Sequence, residues 1–194
     1  QNVQDKFGDH AVICNTFGDV IHRHDAIRHT IFRAAEAGNM HPEKEKLYLL
    51  PDSDKRPADV FVQDWSHGKD CSFDVTVVTP LRKDYLKQAA ANPRHAAIAA
   101  ENSKDTKFLD LCKAEGLYFE PLAFESFGRW GETTEDCLIS LSGRIAEAQN
   151  RTLSSVLHQL ATQIAVALQR GNARCISERQ RVLCVPNWSF PAEP

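Results

Sequence analysis

Arg56-Pro57-Ala58-Asp59-Val60-Phe61-Val62 and, after a short polar stretch, Phe73-Asp74-Val75-Thr76-Val77-Val78 decide how this chain is read. Each stretch sets one acid in a β-branched or aromatic run of alternating character. That pattern predicts two strands of a hairpin, over Ala58 to Gln63 and Ser72 to Thr79, with a carboxylate on each. The intervening residues, with Trp65, His67 and Gly68, read as the connecting loop, and Asp64 and Asp70 as turn residues beside it. Adjacent strands can hold the two acids side by side. Carboxylates that cannot be buried as bare charges offset one another's cost by binding a cation, and hard oxygen ligands select Mg²⁺ or Mn²⁺. A pair of this kind suits phosphodiester cleavage.

The flanking sequence supplies a frame for such a hairpin. Asp19 to Ala37 carries Ile27, Ile31, Ala34 and Ala35 at helical spacing, with Asp19 able to cap it and Gly38 to close it. Leu47-Tyr48-Leu49-Leu50-Pro51 reads as a first strand. Helices are predicted over Leu81 to Ala91 and Arg94 to Glu115, separated by Asn92-Pro93, and a further buried strand over Leu117 to Phe124. Two amphipathic helices follow, Thr133 to Ala148 and Thr152 to Arg170, with Gly171-Asn172 as a stop. The fold class expected is α/β, a mixed sheet flanked by helices with a C-terminal helical extension. The division expected is a core over 1–127, a helical extension packed on it over 128–171, and an irregular tail over 172–194.

The 194 residues, 42% hydrophobic and 25% charged, have ordinary globular composition and enough chain for one domain. A net charge of −3 means that any nucleic-acid contact must come from a local basic face. One candidate is the helix cluster Arg23, His24, Arg28, His29 and Arg33, whose plain alternative is a solvated helix face. Six cysteines without Cys-x-x-Cys spacing fit a reduced, intracellular setting. No apolar run is long enough to span a bilayer, so no membrane partner is expected. Beginning with Gln1, the chain reads as an excised fragment. A Gly-x-Ser-x-Gly elbow and a Gly-rich phosphate loop are both absent, which disfavours serine-hydrolase chemistry and nucleoside triphosphates.

The Pro57-Ala58-Asp59 and Asp74 elements resemble the Pro-Asp…Asp signature of the restriction-endonuclease-like, PD-(D/E)xK nucleases, with Ala58 inserted. Over Gly8 to Arg170 the chain is similar to the endonuclease region downstream of the reverse transcriptase in site-specific non-LTR retrotransposons. The segments that carry the likeness are Gly8-Asp9-His10-Ala11-Val12-Ile13-Cys14, His22-Arg23-His24-Asp25, Arg56-Pro57-Ala58-Asp59-Val60 and Asp74-Val75-Thr76-Val77-Val78. The resemblance implies a restriction-endonuclease-like fold and Mg²⁺- or Mn²⁺-dependent cutting or nicking of DNA, of the target-site kind. It also implies a nuclear setting, with RNA or a reverse transcriptase domain of the same polyprotein as further partners.

The resemblance assigns residues as well. Asp59 and Asp74 would hold the metal, with the carbonyl of Val75 as a further ligand and Glu45 preferred over Asp25 and Glu36 as an extra acid. The usual strand lysine is missing, since Thr76 stands at its place. In relatives of this kind the lysine has moved to the following helix, which points to Lys104 or Lys107 as the catalytic cation. Phe108 stands where the family has a tyrosine, and it cannot donate a hydrogen bond. Arg23-His24-Asp25 matches an Arg-His-Asn/Asp element and suggests phosphate contact for Arg23 and His24, with Arg28 beside them. His10 and Cys14 are spaced like half of a zinc knuckle, but a structural Zn²⁺ would need cysteines ahead of Gln1. A buried Cys14 and a surface His10 is the reading adopted.

Two other classes compete. A decayed nuclease fold could persist as a nucleic-acid-binding module, with Thr76 and Phe108 as marks of decay. A protein-interaction domain could instead use the stripe Leu153, Val156, Leu157, Leu160, Ile164 and Leu168, although core packing explains that stripe more simply.

Overall fold

The computed structural model describes Val12, residues 18–50 and residues 56–183, with side chains through residue 178. His10 and Cys14 lie outside the described residues, as does Pro51. The elements run in the order α1 (Asp19–Ala37), β1 (Glu43–Lys44), β2 (Val60–Ser66), β3 (Lys69–Val78), α2 (Lys83–Ala91), α3 (His95–Ala114), β4 (Tyr118–Glu125), α4 (Glu132–Gln149) and α5 (Leu153–Leu183). The strands form one four-stranded mixed sheet in the order β1-β2-β3-β4, antiparallel except for the β3–β4 pair. The expected α/β class, a mixed sheet flanked by helices, is what the chain adopts. Among the described residues no helix is long and apolar enough to cross a membrane.

The hairpin is tighter than the sequence suggests. Ser66 pairs with Lys69, and the turn between them is His67-Gly68, both at positive φ. That is the twist a two-residue hairpin loop requires, and Gly68 adopts it without steric cost. The strand expected over Leu47 to Pro51 does not form in the described part. Glu45 and Tyr48 take left-handed φ values of 47° and 61°, so the chain bends there and the edge strand falls on Glu43–Lys44 instead. Leu50 is buried on its own account, in a small cluster with Phe108, Cys112 and Phe119.

The two faces of the sheet are covered differently. On one, Val60, Val62, Phe73, Val75, Leu122 and Phe124 meet apolar side chains of α1, α4 and α5 in one continuous core. Against the other, Val78 and Ala123 meet Ala96, Ala97 and Ala100 of α3. Three alanines let that helix lie close to the strands, and this sets the reach of the longer side chains farther along it. The break expected at Asn92-Pro93 separates α2 from α3.

Two boundary expectations are corrected. Gly18, in the left-handed region, caps α1, while Asp19 is buried in the first turn and pairs with Arg174. Gly171-Asn172 does not stop the last helix, which continues to Leu183, so the stretch after 172 is not irregular throughout. A Cβ on Gly171 would lie 2.5 Å from Arg23 Cγ, so the missing side chain makes room for the stem of a buried arginine. The helices after residue 131 pack directly on the sheet. Leu138, Leu141, Val156, Leu160, Ile164 and Leu168 are at most 3% exposed and belong to the same cluster as Ile27 and Phe124.

Candidate metal and phosphodiester site

The site forms where β2 stops and β3 runs on. Val60 pairs with Phe73, and the Asp59 amide donates to the Phe73 carbonyl, so Asp59 and Asp74 are level with one another at the mouth of the hairpin. Beyond that rung β3 has lost its neighbour on this edge. Its next outward-facing amide, Val75 N–H, donates to Asp59 Oδ2 at 2.8 Å. The carbonyl of the same residue is met by His24 Nε2 at 3.0 Å, and that nitrogen also lies 3.2 Å from Asp59 Oδ2. The Asp59 carboxylate thus replaces a missing strand, and beside it the Val75 carbonyl meets a side chain in place of a strand amide.

His24 faces acceptors on both ring nitrogens, since Nδ1 lies 3.2 Å from Asp25 Oδ1. An imidazole with two acceptors is favoured in its doubly protonated form. The bond to Asp59 accordingly raises its pKa most, against the opposing effect of burial. His24 therefore holds the Asp59 carboxylate from α1.

Asp74 is only 6% exposed, and Lys104 Nζ forms an ion pair with its Oδ2 at 2.6 Å. Burial pushes the Asp74 carboxyl upward, Lys104 draws it back, Asp59 raises it and His24 lowers it. Lys107, one turn along α3, is exposed and lies over the Phe108 ring at 4.6 Å from its centroid. Of the two lysines only Lys104 joins the acids. Phe108 itself is buried and packs on Phe119, with ring centroids 5.5 Å apart.

The remaining candidates scatter. Glu45 donates its backbone N–H to the Asp59 carbonyl, but its side chain is engaged by Arg28, which also pairs with Asp25 at 3.2 Å. Glu36 pairs with Arg33 out on the helix surface. Arg23 is 2% exposed, donating from Nη1 to Asn172 Oδ1 at 2.8 Å and to the Val12 carbonyl at 3.3 Å. The expected basic face of α1 is therefore divided: Arg23 points inward and Arg28 and Arg33 are held by acids.

Among the described residues no group of three or more His, Cys, Asp or Glu side chains is arranged to hold a metal ion. The donors available are two carboxylates and the edge carbonyl of Val75, all hard oxygens, and these fit Mg²⁺ or Mn²⁺ better than a softer metal.

One residue that sequence reasoning missed positions this site. Glu101, a turn before Lys104 and 3% exposed, accepts bonds from Thr134 N–H at 2.9 Å and Thr134 Oγ1 at 2.6 Å, capping α4 from a different helix. Only proximity in the fold links Glu101 to Thr134, so no local sequence signal marks it. No protein-family model matches the chain, and no curated protein matches its sequence.

Proposed function

We propose that the protein is a metal-dependent endonuclease that cuts or nicks DNA, with a restriction-endonuclease-like core of the retrotransposon target-site type. The observation that carries this reading is the meeting of Asp59, Asp74, Lys104 and the Val75 carbonyl at the open end of one hairpin. Asp59, Asp74 and the Val75 carbonyl would hold a divalent cation, which would supply Lewis acidity and a water of lowered pKa. The chain's own groups do the rest. His24 and the Val75 amide fix the Asp59 carboxylate in one orientation, so little rearrangement is needed when substrate arrives. Lys104 is the one cation on the acids from α3, placed to stabilise charge developing on a phosphate held above Asp74. This is the role that Thr76 cannot fill.

Plasmid nicking tests the reading. Supercoiled DNA should relax in the presence of Mg²⁺ or Mn²⁺, and Asp59→Ala and Asp74→Ala should each abolish it while both variants remain folded. Undiminished cleavage by either variant would remove the assignment. A parent protein that binds DNA yet never cuts it would leave the binding-module reading in its place.

A further inference from the structure

Beside the acids, between the start of α1, the end of β3 and the helices α2 and α3, lies an open cavity of about 490 Å³. Its charged lining is cationic: Arg23, Arg82 and Lys104, interleaved with the hydroxyls of Thr76, Thr79 and Ser103. Arg23 is the unusual member. Burial lowers its pKa, it pairs with no carboxylate among the described residues, and its Nε has no hydrogen-bond partner there. Asp19, one helical turn earlier, pairs with Arg174 instead. A buried guanidinium is ordinarily held by an anion, because an unpaired interior charge costs several kcal/mol. Here its partners are neutral, an amide and a backbone carbonyl, and its side chain forms part of the wall of a cavity otherwise lined with hydroxyls and cations.

We propose that this cavity is a phosphate pocket, and that it receives a second phosphate of the same DNA strand whose scissile phosphate lies at Asp59 and Asp74. The strand assignment rests on the nuclease reading, whereas the phosphate chemistry rests on Arg23 and the lining alone. Thr76 follows Asp74 by two residues on β3, roughly 7 Å along the strand, so the pocket and the acids share one wall. Lys104 stands at their boundary, with its ammonium on Asp74 and its side chain on the cavity. Arg82 is exposed, pairing with Asp84 at 3.3 Å and lying over Tyr85, and can swing to an incoming phosphate without disturbing the core.

Two measurements made in EDTA, where no cleavage occurs, test this. Inorganic phosphate should raise the melting temperature of the full chain and do so equally in Asp59→Ala. Arg82→Gln and Arg23→Gln should lose the rise, Arg82→Gln being the variant that leaves the packed interior untouched. Short duplex DNA should bind Arg82→Gln more weakly, with the slope of log affinity against log salt reduced by about 1. No phosphate shift in the parent, or the same shift in Arg82→Gln, overturns the pocket. A phosphate shift with DNA binding unchanged in Arg82→Gln overturns the strand assignment, leaving a site for free phosphate. Failure of the nuclease reading is separately visible: the parent would not nick plasmid in Mg²⁺, while the phosphate titration would stand.

Discussion

Lys104 and Lys107 carry the same charge one turn apart on α3, yet only Lys104 meets a carboxylate, because Asp74 stands opposite that turn while Lys107 spreads over Phe108. If Lys104 acts on the transition state, Lys104→Ala should lower the single-turnover cleavage rate by about a hundredfold with metal affinity little changed, and Lys107→Ala should stay within about twofold. Equal losses would return the two lysines to a general electrostatic role. Glu120 on β4 gives a second, independent test at this scale. Burial raises its pKa to about 7, against a hydrogen bond from Trp65 and with help from Asp105, Asp136 and Glu101. Between its ordinary value and about 7 the folded chain binds the extra proton, so stability falls as pH rises through that window. The full penalty, on the order of 1 to 3 kcal/mol, is present above it. Glu120→Gln keeps an acceptor for Trp65 and removes the charge. Its melting temperature should match the parent near pH 4.5 and exceed it near pH 8, and a constant difference across that range would mean that burial of the charge is not the cause.

At the scale of elements, Glu101 ties α3 to α4 and so fixes where Lys104 lies. Gly131 is the other half of the device: its φ of −74° suits any residue, but a Cβ there would sit 2.1 Å from the Glu101 carboxylate. Gly131→Ala should therefore displace Glu101 from the Thr134 amide and cost about 1 to 3 kcal/mol. Because Lys104 follows one turn later, the cleavage rate should drop in the same variant even where the protein remains folded. Chemical denaturation read beside cleavage separates the two effects, and an unchanged rate would detach α4 from the site. The same scale explains what was legible in the sequence. The alternation around Asp59 and Asp74 is local, and so it found the hairpin, its acids and the sheet class. The helix periodicities found α1 to α4 within a few residues. Leu47-Tyr48-Leu49-Leu50 looked like a strand because composition cannot register that Glu45 and Tyr48 turn left-handed. Gly171-Asn172 looked like a helix stop because its reason for being, the stem and guanidinium of Arg23, lies far away in sequence. That His24 bonds Asp59 was not legible either, since only the fold brings the two together.

For the molecule as a whole, the question is whether the helices after residue 127 can be removed from a working core. The sheet face carrying Phe73, Val75, Leu122 and Phe124 is sealed jointly by α1, α4 and α5. Without α4 and α5, the large side chains Leu138, Leu141, Ile164 and Leu168 are lost from that cluster, each now 0 or 1% exposed. Burial of each such side chain is worth about 1.5 to 3 kcal/mol, and the loss would also open the faces they cover. Since domains have only about 5 to 15 kcal/mol in hand, the truncated chain 1–127 should not fold cooperatively. It would lose Asn172 and the Gly171 seat as well, leaving Arg23 without its anchor. Thermal unfolding followed by circular dichroism decides the matter. A broad, non-cooperative trace from chain 1–127 is expected, and a sharp transition with retained phosphate binding would establish the first 127 residues as an independent domain carrying the site by itself.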